Sequence, residues 1–171
     1  LQPLQAGRIS LHCGTIEPLV LGENAFDADW LVCMNYLSQQ PYLFRGSVRD
    51  NLALRVKGRA VDEEQVLSMV QRLGLEDCLG EAPLDFHLNE GGTNLSGGQQ
   101  QRLALVRALQ VVQPILFLDE ATSALDDATR DSVFGVLKEL TDMGVNIIII
   151  THDRELASNC DDVLDLEALN A

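Results

Sequence analysis

The hydrophobic pattern of the chain changes period several times. Ile115-Leu116-Phe117-Leu118 and residues 145–150 are short, almost wholly apolar runs, and residues 30–37 (WLVCMNYL) form a third. Apolar runs of this length without alternation predict strands buried on both faces. Residues 7–13 (GRISLHC) alternate like a strand, and 163–166 predict a last one. Helical spacing fills the intervals. Asp62 opens a helix with Val66, Val70 and Leu73 on one face, closed by Gly74. Ser96 opens another, with Gln99 three residues on as in a capping box, and Leu103, Val106 and Leu109 give it an apolar stripe that cannot run past Pro114. Asp126 or Asp127 starts a third, with Val133, Val136, Leu137 and Leu140 inward and Gly144 at its end. Residues 46–54 predict a short helix and 154–158 a helical turn or two. Residues 15–28, with the turn-like Gly22-Glu23-Asn24, are weakly patterned and read as loop, as do the polar stretch 83–94 and the solvated turn Lys57-Gly58-Arg59. Strands and helices in alternation predict an α/β fold with a mostly parallel sheet.

Composition narrows the class. With 171 residues, 46% hydrophobic and 22% charged, the chain can bury one substantial core and is not a disordered segment. The net charge of −14, with no basic cluster, argues against a nucleic-acid groove. The longest apolar runs are strand-sized, so none spans a membrane. Cys13, Cys33, Cys78 and Cys160 lack C-x-x-C spacing and read as buried free thiols rather than zinc ligands or disulfides.

Two places carry chemistry. Gly97 and Gly98, behind the Ser96 cap, leave backbone N–H groups bare at the positive end of a helix dipole, which suits a phosphate. Asp119-Glu120 puts two carboxylates at the C-terminal end of a buried strand, where a nucleotide enzyme places a metal partner and a base.

These residues carry a resemblance. LSGGQQQR at 95–102, followed by ILFLDEATSALD at 115–126, resembles the signature motif, Walker B and D-loop of ATP-binding cassette (ABC) ATPases. SQQPYLF at 38–44 resembles the Q-loop of that family and Thr151-His152-Asp153 its switch histidine, in the family's order. The resemblance implies a P-loop NTPase-like, mostly parallel sheet with an inserted helical subdomain over about 46–110, the whole of 1–171 forming a partial ABC ATPase domain. It implies ATP and Mg²⁺ as cofactors. Asp119 would hold Mg²⁺, Glu120 would polarise the water attacking the γ-phosphate, and His152 would contact that phosphate. Gln39 would touch both Mg²⁺ and the water, with Gln40 as the alternative register. Ser96, Gly97, Gly98 and Gln99 would face a nucleotide held by a second ABC ATPase domain, in a homo- or heterodimer. Asp126 is either a D-loop residue at that interface or a plain helix cap. His12 and His87 read as ordinary polar side chains.

Tyr42 to Asn51 (YLFRGSVRDN) resembles the exporter pattern, and Glu90-Gly91-Gly92 resembles the exporter x-loop, with Asn89 where a glycine is usual. The expectation is therefore an exporter domain at the cytoplasmic face of a membrane, attached to a transmembrane domain and binding no nucleic acid. One motif is not found. A Walker A P-loop needs G-x-x-x-x-G-K-[ST], and the two lysines, Lys57 before Gly58 and Lys138 before Glu139, do not fit it. The expectation is an N-terminally truncated domain whose P-loop lies upstream, inactive alone and able to supply only the signature and Walker B half. A soluble ABC ATPase of DNA maintenance or translation is one rival, although neither heptads nor basic surfaces are present to support it. A non-catalytic regulatory partner is the other.

Overall fold

The computed structural model describes residues 9–11, 19–21, 33–56, 61–121 and 125–165. Its centre is a three-stranded parallel sheet in the order β3 (Met34–Leu37), β6 (Ile115–Asp119), β7 (Asn146–Ile150). The register pairs Tyr36 with Phe117 and Phe117 with Ile148. The α/β class and the parallel sheet follow the hydrophobic pattern.

Side chains on a strand alternate between faces. One face carries Leu37, Leu116 and Leu118, all buried, against helices α4 (Gly97–Ala108) and α5 (Asp127–Asp142). The predicted stripes are the ones that pack: Leu103 and Val106 from α4 with Leu109 at its C-cap, and Val133, Val136, Leu137 and Leu140 from α5. Each such leucine contributes roughly 1.5–3 kcal/mol by leaving water.

The opposite face is different. There Tyr36, Ile148 and Ile150 are about half exposed. Strand β7 was expected to be fully buried and is not, because the described residues cover it on one face only.

Helices α1 (Val48–Val56), α2 (Glu63–Arg72) and α3 (Glu76–Leu79) precede α4 and share its core through Val48, Leu52, Val66, Val70 and Leu79. Asp62 caps α2 by accepting from Gln65 N, and Gly74 follows it in the left-handed region (φ 58°), as the sequence predicts. Helix α6 (Arg154–Ser158) is capped by Asp153.

Several expectations are corrected. The loop at 15–28 contains β2 (Leu19–Leu21), antiparallel to β1 (Ile9–Leu11); three apolar residues are too few to show a period. The loop at 83–94 contains β5 (His87–Leu88), which pairs with β4 (Gly46–Ser47) at the start of the predicted 46–54 helix. Strand β3 starts at Met34 rather than residue 30, because its partner β6 starts at Ile115, just after Pro114. Cys33 is helical, and residues 30–32 lie outside the described set. Residues 163–165 form no strand, and Val163 and Leu164 lie exposed with no neighbouring strand among the described residues. The turn at 57–59, Cys13, His12 and Leu166 are outside the described residues. Cys33, Cys78 and Cys160 are free and partly buried.

Asn51 shows how the segment after β3 is held. Fully buried, it donates to the carbonyls of Phe44 (2.9 Å) and Ser47 (3.1 Å) and accepts from Phe44 N (2.8 Å). Asn51→Ala leaves these backbone groups unpaired, and unfolding measurements on the complete protein should show a loss of about 2 kcal/mol.

Candidate functional site

In a parallel sheet the C-terminal ends of all strands lie along one edge, and loops leaving that edge meet. Three loops do so here. The segment after β3 brings Gln39, the end of β6 brings Asp119 and Glu120, and the segment after β7 brings His152.

Glu120 is the meeting point. Gln39 Nε2 donates to Glu120 Oε2 (2.5 Å), and His152 Nδ1 lies 3.2 Å from Glu120 Oε1. Glu120 is the one non-glycine residue with positive φ (47°) among those described, and its N–H bonds the Ile150 carbonyl at 2.9 Å. Left-handed backbone is disfavoured for glutamate, so the neighbouring strand holds Glu120 in a conformation it would not choose alone. The predicted Gln39, Glu120 and His152 are thus brought together. Gln39, not Gln40, carries the contact.

Asp119 accepts a hydrogen bond from the Tyr36 hydroxyl on Oδ2 (2.5 Å). That bond, with some burial and the carboxylate charge behind it, raises the Tyr36 pKa from its usual 10.0. No protein hydrogen bond among the described residues occupies Asp119 Oδ1. With a side-chain N–H of Gln39 spent on Glu120, its side-chain oxygen Oε1 is the atom available to a cation. Hard oxygen donors of this kind suit Mg²⁺, which takes one or two carboxylates and keeps waters or phosphates as its other ligands. Among the described residues no three His, Cys, Asp or Glu side chains cluster as a metal cage, which such a site does not require.

Ser96 caps α4 as predicted. Its Oγ accepts from Gln99 N (3.3 Å), and Gln99 Oε1 accepts from Ser96 N (2.8 Å). A side chain at Gly97 would meet nothing within 4 Å, so this helix end stands open. The α4 terminus and the Glu120 cluster are tied through Gln101, a buried residue whose Nε2 donates to the main-chain carbonyl of Gln39 (3.0 Å).

Asp126 caps α5, accepting from Thr129 N (2.9 Å) and Thr129 Oγ1 (3.0 Å), bonds that hold its carboxyl below the ordinary 3.8. A depressed carboxylate stabilises the fold above its unfolded pKa and loses that contribution as pH falls through the folded one. Asp126→Ala should therefore lower Tm most at neutral pH. The gap from wild type should narrow below about pH 4, as thermal scans across pH would read.

An open groove of about 310 Å³ runs beside the cluster, lined by Tyr36, Tyr42, Phe44, Leu54 and Arg107 among others. Tyr42 and Phe44 pack edge to face (5.1 Å, 78°), Arg107 donates to the Tyr42 carbonyl (2.8 Å), and the Tyr42 hydroxyl bonds Glu90.

Sequence reasoning missed Tyr36 and Gln101. Both look like ordinary members of a strand or a helix. Only the register of β3 on β6 would have placed Tyr36 on the face of Asp119.

Comparison with known proteins agrees with the motifs. The ABC transporter family model matches residues 3–123. The chain is 37% identical over 136 residues to the transport/processing ATP-binding protein ComA of Streptococcus pneumoniae serotype 4, covering 78% of this chain and 18% of that protein. It is 38% identical over 132 residues to the ATP-dependent lipid A-core flippase of Pasteurella multocida, covering 77% and 22%. The chain thus spans about a fifth of the length of these relatives. A solved bacterial Atm1-family ABC exporter with ATP bound superimposes with a TM-score of 0.67 at 26% identity, over 76% of this chain and 23% of that one.

Proposed function

This chain belongs to the ABC transporter family, and on that premise we propose that it is part of the ATP-hydrolysing domain of an exporter. The observation that carries this is the convergence of Gln39 and His152 on Glu120 at the C-terminal edge of the sheet.

Each residue then takes a role. Glu120 accepts the proton of the water that attacks the γ-phosphate. Gln39 fixes one oxygen of Glu120 and, through its side-chain oxygen Oε1, orients the water. His152 engages the other oxygen through Nδ1 and presents its exposed ring to the phosphate. Asp119 and Gln39 would hold Mg²⁺, which when bound neutralises charge on the phosphates. Ser96, Gly97, Gly98 and Gln99 offer the α4 N-terminus to nucleotide carried by a second domain of the same kind, and Asp126 lies at that interface as well as capping α5.

A phosphate-binding loop from another part of a longer polypeptide completes the site. The half-exposed Ile148 and Ile150 support this, since a parallel sheet is normally covered on both faces. Residues of about 46–110 form the helical subdomain. The aromatic groove beside Gln39 receives a transmembrane domain at the cytoplasmic face of the membrane; among the described residues no helix is long and apolar enough to cross it.

The test is ATP binding and Mg²⁺-dependent hydrolysis by the complete protein that carries this segment. A complete, folded protein that does neither would end the proposal.

A further inference from the structure

The hydroxyl of Tyr36 belongs to neither the hydrophobic core nor the trio around Glu120, yet it is bonded to Asp119, the carboxylate proposed above to hold Mg²⁺. Tyr36 pairs with Phe117 across β3 and β6, and Asp119 follows two residues later on the same face of β6. A tyrosine leaning along its strand reaches that position, and its hydroxyl meets Oδ2 at 2.5 Å. We infer that Tyr36 is a positioning residue for the metal: it holds the Asp119 carboxylate in one rotamer, with Oδ2 engaged and Oδ1 turned to the cation.

Three features support this over a packing role. Tyr36 is 54% exposed, so the core does not depend on it. Asp119 is a short side chain at the very end of β6, where nothing in the strand ladder sets its rotation. Burial of Asn35 and Leu37 on either side fixes the backbone of Tyr36, and Asn35 is further tied to the carbonyls of Ala108 (3.0 Å) and Val111 (2.7 Å). The hydroxyl is therefore presented from a rigid base, as groups that orient metal ligands are.

The inference rests on the proposed ATPase reading. Its test is Tyr36→Phe in the complete protein, which keeps the ring and removes only the hydroxyl. Half-activating Mg²⁺ at saturating ATP should rise about 10-fold or more, the usual cost of losing a group that orients a ligand. The kcat at saturating Mg²⁺ and the Tm should change little. Mn²⁺ affinity, titrated by electron paramagnetic resonance with a non-hydrolysable ATP analogue, should fall by the same factor and gives a readout independent of turnover. Phe117→Leu, which loosens the same face without touching the hydroxyl, should move neither metal value.

An unchanged Mg²⁺ requirement and Mn²⁺ affinity in Tyr36→Phe would overturn the inference. So would a drop in kcat with no shift in metal affinity, or an equal shift in Phe117→Leu. In each of these cases wild-type hydrolysis, sharply lowered by Glu120→Gln, shows that the ATPase reading still stands. Absence of that hydrolysis would overturn both.

Discussion

Glu120→Gln in the complete protein is expected to lower ATP turnover by about 10²- to 10⁴-fold, the range for removing a positioned general base. ATP affinity should hardly change. Glutamine has the same shape, so it keeps the strained backbone (φ 47°), the N–H bond to Ile150 and a side-chain oxygen within reach of Gln39. What it lacks is the charge that accepts a proton. Single-turnover hydrolysis alongside equilibrium nucleotide binding separates the two effects. A variant that turns over within a factor of two or so of wild type would show that the proton goes elsewhere, and His152, 3.2 Å away, would become the first candidate.

The second large effect is structural. Gly92→Ala should destabilise the fold by about 2–4 kcal/mol, because strain at a disfavoured backbone and overpacking each cost on the order of 1–3 kcal/mol. Gly92 sits at φ 67°, and an added methyl would lie 2.9 Å from Leu43 Cδ1 and 3.3 Å from Leu43 Cβ. Leu43 is fully buried and has nowhere to go. The Gly92 carbonyl also accepts from Leu95 N (2.9 Å) and from Gln100 Nε2 (3.0 Å), so a shift here is passed to the start of α4. Tm should fall by on the order of 10 °C. Gly91 supplies the control. It has nearly the same φ (68°), but its methyl would meet nothing within 4 Å, so Gly91→Ala should cost only about 1 kcal/mol. Equal losses for the two would mean that the Leu43 contact is not what matters.

What could be read from the chain follows from what is local. Helix starts were legible because a cap is a bond over three residues: Ser96 with Gln99, Asp62 with Gln65 and Asp126 with Thr129 all form as their spacing implies. The parallel sheet was legible because uninterrupted apolar runs have few other uses. The trio of Gln39, Glu120 and His152 came from resemblance, since no spacing rule brings together residues 81 positions apart. The Tyr36–Asp119 bond depends on strand register, which the hydrophobic pattern does not set when strands are apolar on both faces. Strands β2 and β5, of three and two residues, exist because a neighbour pairs with them, and carry no period of their own. The open face of β7 was misread for a related reason. An apolar sequence states what a strand requires, and not which segment supplies it.

That uncovered strand has a consequence for synthesis. Asn146–Ile150 reads Asn followed by four isoleucines, with neither charge nor proline, and among the described residues only β6 pairs with it. Such a sequence is a template for cross-strand aggregation when two copies meet before it is sheltered. Its place in the chain limits the danger. On the ribosome, where growth runs at roughly 5–20 residues per second, β6 and α5 are made before β7 emerges, so the new strand meets its own sheet before a neighbour's. Refolding from denaturant removes that order, releases every β7 at once, and should lose yield steeply as protein concentration rises.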